Sequence, residues 1–171
     1  MSRVFLGLGS NVGDRAASLA SAIWALRDRF AVKAISSIYE TEPVQMPGAE
    51  WFLNVAVEIE TELYPVPLLY ELNNIEVLLG RQPSTHMKPR TIDIDILLYE
   101  DITYTDSIVQ VPHKELHRRA FVLMPLREIA ADLRHPVLFR TIAELADECA
   151  DRSDVHRTSI ILPSIHHHSN P

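Results

Sequence analysis

The segment Lys88-Pro-Arg-Thr-Ile-Asp-Ile-Asp-Ile-Leu-Leu-Tyr99 decides how the rest of the chain is read. Between Thr91 and Leu97 polar and apolar residues alternate, and a period of two is the mark of a β-strand. Successive strand side chains point to opposite faces, so Ile92, Ile94, Ile96 and Leu98 are expected on one face and Thr91, Asp93 and Asp95 on the other. Two carboxylates then stand about 7 Å apart on a single face. Like charges at that spacing repel unless something cationic lies between them. A solvated strand face is the plain reading. The chemical reading is a divalent-metal site, with the hard oxygen donors that Mg²⁺ prefers. Arg90 precedes the pair directly, with Lys88 and Arg81 upstream. Carboxylates for a metal beside guanidinium groups suit a polyphosphate.

Upstream, residues 3–9 read as a first strand, and Ser10 to Asp14 as a turn rich in capping residues. A helix is expected over 14–29, where Leu19, Ile23, Leu26 and Phe30 recur at helical spacing. The glycines at 7, 9 and 13 miss the dinucleotide fingerprint by one residue. Gly9 is read instead as a point where a ligand approaches the backbone. Residues 32–41 read as a second strand with Ile35, Ser37, Tyr39 and Thr41 on one face. Pro43, Pro47 and Gly48 punctuate the loop that follows. A third strand over 51–61 sends Leu53, Val55, Val57 and Ile59 to the core and Phe52, Asn54, Ala56 and Glu58 the other way. Phe52 and Asn54 thus share a face as Asp93 and Asp95 do. An aromatic ring plus an amide suits a flat heterocycle, although either residue alone is more often structural. Pro65 and Pro67 open a second helix, Leu68, Leu72, Ile75 and Leu79 form its apolar stripe, and Gly80 ends it. Glu71, Asn73 and Glu76 are expected on its polar side.

The order β-α-β-β-α-β is the ferredoxin-like arrangement: an α+β sandwich with helices on one face of an antiparallel sheet. The aliphatic strand faces must meet those helices. The face carrying Phe52, Asn54, Asp93 and Asp95 is then left open for a pocket. A C-terminal hairpin is expected from 102–104 and 108–111, followed by helices over 122–131 and 139–150 that pack the far end. His113, Lys114, Arg118 and Arg119 form the most cationic segment, a solvated surface or an anion site. A single domain is expected over 1–158. The remainder, with His166, His167 and His168, reads as a flexible tail rather than a metal site.

A chain of 171 residues is one ordinary domain with room for a core. The net charge of −7 argues against general nucleic-acid affinity, so an anionic ligand needs a local basic patch such as 81–90 or 113–119. No apolar run is long enough to span a bilayer, and the N-terminal run is too short for a signal peptide. The single Cys149 has no internal disulfide partner. A cytoplasmic location is the expectation.

Several blocks occur together in order: Phe5-Leu-Gly-Leu-Gly-Ser-Asn11, Tyr39-x-Thr41, Phe52-Leu-Asn54, Glu76 with Gly80-Arg81, Pro89-Arg-Thr-Ile-Asp-Ile-Asp-Ile-Leu97, Val111-Pro-His113, and Arg119-x-Phe121-Val-Leu-x-Pro-Leu126. Over residues 3–150 the chain resembles the 6-hydroxymethyl-7,8-dihydropterin pyrophosphokinases of folate biosynthesis. The resemblance implies transfer of the β,γ-pyrophosphoryl group of ATP to the pterin hydroxymethyl oxygen, with release of AMP and two Mg²⁺ ions held by Asp93 and Asp95. It implies catalytic roles for Arg90, Asp93, Asp95 and Arg119. Gly9, Thr41, Pro43, Val44, Phe52, Asn54 and Phe121 would line the pterin. Asn73, Glu76, Arg81, Arg90, Ile96, His113, Lys114 and Arg119 would meet ATP. A monomer is implied. In-line attack at phosphorus needs positioned reactants and neutralised oxygens rather than a protein nucleophile, and two metals can clamp attacking and leaving oxygens. The segment 81–88 lacks the further arginines and the tryptophan that many members carry before Pro89. It keeps open a second reading: a ferredoxin-like ligand-binding module with lost or altered activity. A metal-dependent nuclease is disfavoured by the overall charge.

Overall fold

The computed structural model describes residues 1–43, 48–81, 91–100 and 102–162. Its elements run β1 (Ser2–Ser10), α1 (Arg15–Arg29), β2 (Ala31–Ile35), β3 (Tyr39–Thr41), β4 (Phe52–Thr61), α2 (Pro65–Leu78) and β5 (Asp93–Tyr99). This is the expected order, with the second strand broken in two. β5, β1 and β4 lie side by side, and both β2 and β3 pair with the far edge of β4. All four pairings are antiparallel. The break comes from a side chain. The Ser36 N–H donates to the Ala56 carbonyl at 2.9 Å, while the Ser36 hydroxyl accepts from the Ala56 N–H at 2.9 Å. A hydroxyl stands in for a ladder carbonyl, and serine competes with sheet geometry in this way. Consequently Ile35 and Tyr39 do not share a face: Ile35 packs on the main core, whereas the Tyr39 hydroxyl reaches Glu128 on the other side.

The Asp14 carboxylate caps α1 by accepting from the Ala17 N–H at 3.0 Å. Pro65 opens α2, and Gly80 leaves it in the left-handed region at φ +94°. Both helices cover the sheet face that carries Leu6, Leu8, Val55, Val57, Ile94 and Ile96. That face is the main core.

β5 contains an extra residue. Leu6 pairs with Ile96 but Phe5 pairs with Leu98, so Leu97 bulges and the alternation slips. Leu97 and Leu98 both join a second core, and Tyr99 returns to the first. Leu98 therefore lies opposite the face on which strict alternation puts it.

The C-terminal part supplies β6 (Tyr104–Thr105), β7 (Gln110–Val111), α3 (Ala120–Ala130), α4 (Ile142–Glu148) and β8 (Val155–Arg157). The β6–β7 turn is closed by Asp106, whose carboxylate accepts from the Ile108 and Val109 N–H groups at 2.8 Å. Leu123 and Leu126 of α3 pack with Phe5, Ala56, Leu97 and Leu98. The face opposite α1 and α2 is therefore not open throughout. α3 covers one end, and the end bearing Asp95, which is exposed, stays uncovered. β8 extends the sheet beyond β3, antiparallel to it. The histidines at 166–168 lie outside the described residues. Among the described residues no helix is long and apolar enough to cross a membrane.

Candidate active site

Strand register assembles the site. On β1, Gly9 lies between Asp93 of β5 and Asn54 of β4, and Gly7 lies between Asp95 and Ala56. β3 continues the row, with Tyr39 opposite Asn54 and Thr41 opposite Phe52. Directly opposed residues share a face, so Asp93, Asn54, Phe52 and Thr41 all project from the uncovered end. A Cβ at Gly9 would stand 2.7 Å from Asn54 Oδ1 and 3.7 Å from the Phe52 ring. No other residue fits there without moving the amide. Asn54 and Thr41 are buried, and Asn54 Nδ2 donates to Thr41 Oγ1 at 2.6 Å. An amide carries two N–H donors and one acceptor oxygen. Thr41 takes one donor and thereby fixes which way the amide faces.

Asp93 and Asp95 stand one residue apart on the same face of β5, Asp93 partly buried and Asp95 exposed. Arg81 Nη1 lies 3.3 Å from Asp93 Oδ1 and also pairs with Glu76. Glu76 corrects a sequence expectation. It is not on the polar side of α2 but 1% exposed, and its Oε1 accepts from the Ile94 N–H at 2.6 Å. β5 ends the sheet on this side, and an outward N–H on an edge strand needs an acceptor when a helix covers it. Burial pushes the Glu76 carboxyl above its usual range and Asp93 adds to this, while the Ile94 N–H and Arg81 oppose it.

Two carboxylates on one strand face, with glycines opposite on β1, form a donor set suited to a hard divalent cation. Among the described residues no three His, Cys, Asp or Glu side chains gather into a site that could hold a metal alone. Mg²⁺ does not require one, because it is commonly held by one or two carboxylates with phosphates and water completing the shell. The residues present fit that ion.

The chain matches the family model described as 7,8-dihydro-6-hydroxymethylpterin-pyrophosphokinase (HPPK) over residues 5–131. It belongs to the HPPK family. A relative from Methylorubrum extorquens, named 2-amino-4-hydroxy-6-hydroxymethyldihydropteridine pyrophosphokinase, is 46% identical over 135 residues, covering 78% of this chain and 85% of that one. A relative of the same name from Aquifex aeolicus is 37% identical over 148 residues, covering 86% and 92%. The crystal structure of a Plasmodium falciparum HPPK-DHPS triple mutant superposes with a TM-score of 0.71 at 17% identity, which shows the shared fold. The superposition covers 85% of this chain and 43% of that longer one.

The other described residues that the family resemblance implicates come from α2, β5, the chain just after β3 and the segment 113–121. The His113 N–H donates to the Leu97 carbonyl at 2.8 Å, which ties the basic segment to β5. His113 Nδ1 accepts from the Glu115 N–H at 3.2 Å. Burial lowers the His113 pKa and Lys114 lowers it further, against Glu115 and Asp93. Lys114 is exposed. Arg119 is the N-cap residue of α3, with Nε 3.3 Å from Glu115 Oε2, and Phe121 in the first turn packs on the second core. Asn73 is half-buried on α2, one turn before Glu76, and Pro43 follows β3. Ile96 belongs to the main core, so its side chain points away from the carboxylates. Arg90 and Val44 lie outside the described residues, as do His86, Met87 and Lys88.

Two contacts beside the elements of the row escape a reading of the sequence. Glu115 is one, although its spacing of four from Arg119 is a signal in itself. Arg15 is the other: its Nη1 bonds Glu40 Oε1 at 2.9 Å and the Trp51 carbonyl at 2.6 Å, joining β3 to the residue before β4. Those partners are 25 and 36 residues away, and no local pattern links them.

Proposed function

We propose that this HPPK-family chain transfers the β,γ-pyrophosphoryl group of ATP to the hydroxymethyl oxygen of 6-hydroxymethyl-7,8-dihydropterin. The observation that carries the reading is the single row on one sheet face. Asp93 stands at one side, the Asn54–Thr41 amide clamp and Phe52 at the other, and a glycine keeps the space between them low.

The pterin is a flat ring with hydrogen-bonding edges. Asn54, held by Thr41, meets that edge, Phe52 and Phe121 flank the ring, and Gly9, Pro43 and Val44 complete its surroundings. The ring's hydroxymethyl group is thereby aimed along the row toward the carboxylates. Its oxygen bonds to the β-phosphorus as the bond from that phosphorus to the α,β-bridging oxygen breaks, and AMP leaves with the bridging oxygen. The hydroxyl proton goes to solvent. Such a transfer relies on orientation and charge neutralisation. Arg81, Arg90, Lys114 and Arg119 supply positive charge to the phosphates, and arginine does so with two donors at once. His113 accepts a backbone N–H at Nδ1, so its neutral ring carries its proton on Nε2 and can donate it to a phosphate oxygen. Asn73, Glu76 and the Ile96 backbone border the nucleotide. Asp93 and Asp95 would hold two Mg²⁺ ions, which neutralise phosphate oxygens as Lewis acids. Nothing in this chemistry requires a second chain.

The test is direct. Protein, ATP, Mg²⁺ and the reduced hydroxymethylpterin together yield AMP, and omission of either Mg²⁺ or pterin abolishes it. ADP in place of AMP would mean attack on the γ-phosphorus and would overturn the proposal. Pterin binding without AMP would favour the ligand-binding module, which the short 81–88 segment keeps as the second reading.

A further inference from the structure

The family match ends at residue 131, yet the sheet gains another strand from residues 155–157. β3 is only three residues long and is separated from β2 by the Ser36 break. Its three residues pair with β4 on one side, and without a further partner they would form a bare edge of the sheet. β3 nevertheless carries Thr41, whose hydroxyl orients the Asn54 amide.

β8 supplies the missing restraint. Thr41 lies opposite Val155, Glu40 opposite His156 and Tyr39 opposite Arg157. The ladder runs on at both ends: the Glu42 N–H donates to the Asp154 carbonyl at 3.0 Å, and the Thr158 N–H donates to the Ile38 carbonyl at 2.9 Å. Side chains lock the register. Arg157 Nε donates to Ser37 Oγ at 2.9 Å, and its Nη2 lies 3.6 Å from Glu128 Oε1. On the other face the His156 ring stacks on Trp51, with centroids 6.0 Å apart and planes 8° from parallel. Trp51 immediately precedes Phe52, so β8 braces both strands that carry the heterocycle side of the site.

The geometry points to β8 as a positioning strap for the pterin half of the site, with His156 and Arg157 setting pterin affinity without touching the pterin. This inference rests on the function proposed above. The ATP half is built from α2, β5 and the segment after β7, none of which pairs with β8. β8 also meets α3 through the Arg157–Glu128 pair, well along the helix from Arg119 at its N-cap, so its effect is expected to fall on the pterin rather than on ATP.

Two variants test it. His156→Pro removes a ladder donor, since proline has no N–H. The double variant His156→Ala with Arg157→Ala keeps the backbone and removes the stack and the ion pair. For each, the Kd of the reduced pterin is measured by its fluorescence in the presence of Mg²⁺ and a non-hydrolysable ATP analogue. The Kd of the analogue alone and the thermal midpoint are measured alongside. Pterin affinity is expected to fall by about fivefold or more, the scale of one net hydrogen bond, with analogue affinity unchanged. If His156→Pro does not fold, the double variant decides. Unchanged pterin affinity, or equal weakening of both ligands, overturns the strap while leaving the proposed reaction standing. Failure of the unaltered protein to bind pterin overturns both.

Discussion

One sheet face does two unlike jobs at its two ends. At the α3 end, Phe5, Ala56, Leu97 and Leu98 are sealed under Leu123 and Leu126. At the other end the same strands present Gly9, Asn54, Asp93 and Asp95. β1, β4 and β5 contribute to both ends, so neither strand propensity nor pairing separates them. Two things do: where α3 stops, and the replacement of bulky side chains by glycine on β1. The core end holds residues whose loss leaves a cavity. The site end holds a glycine and polar side chains that belong to neither apolar core. A fold can therefore keep a charged site beside a dry core when a single helix ends between them.

That contrast can be broken by mutation. Asp95→Ala should produce the largest effect, a fall in AMP formation of about 10³-fold, the scale of removing one preorganised electrostatic contact. Its thermal midpoint should stay within a few degrees, because exposed substitutions cost about 0.5 kcal/mol or less. Unfolding of this variant in a melting experiment would show that the site end is structural after all. Leu123→Ala tests the opposite end. It should cost about 2–5 kcal/mol in denaturant titrations, while Kd values for both substrates, measured well below the midpoint, stay unchanged. A selective loss of pterin or ATP affinity would mean that the two ends are mechanically coupled.

The smallest effect concerns Glu128, which joins α3 to the start of β3 through Ser37 and Tyr39. Burial would raise its carboxyl, but the Ser37 hydroxyl and N–H, the Tyr39 hydroxyl and Arg157 outweigh it and hold the pKa below the ordinary 4.5. A carboxyl lowered on folding contributes stability that is present above its unfolded pKa and is lost as pH falls through the folded one. Glu128→Gln should therefore be less stable than the parent by about 1–2 kcal/mol at neutral pH. Melting curves of the two proteins should converge below pH 4.5. A gap of constant size down to pH 3 would assign the effect to packing instead of charge.

How legible all this is in the sequence depends on the range of each interaction. The Asp93–Asp95 pair is legible because alternation is local, and the structure keeps both on one face. Phe52 and Asn54 follow by the same rule. Leu98 is misread because one bulged residue reverses the parity of everything after it, and alternation carries no mark of an insertion. Glu76 is misread because a helical stripe distinguishes apolar from polar positions only. It has no means of registering that a polar position faces the N–H of an edge strand. The break between β2 and β3 hinges on the Ser36 hydroxyl, and serine in a strand does not announce which role it takes. β8 is three residues long and its partner lies more than a hundred positions earlier, so nothing nearby foretells it. The β-α-β-β-α-β order survives these errors because it rests on whole periodic segments, and the observed elements follow it.

The Glu76 contact has one more consequence. Outer strands of open sheets tend to recruit strands from neighbouring molecules, and natural proteins blunt that tendency. Here the outward N–H of Ile94 is already engaged by the Glu76 carboxylate of α2. On the β5 side, the residue that occupies this edge N–H is also the one that anchors Arg81 beside the acidic pair.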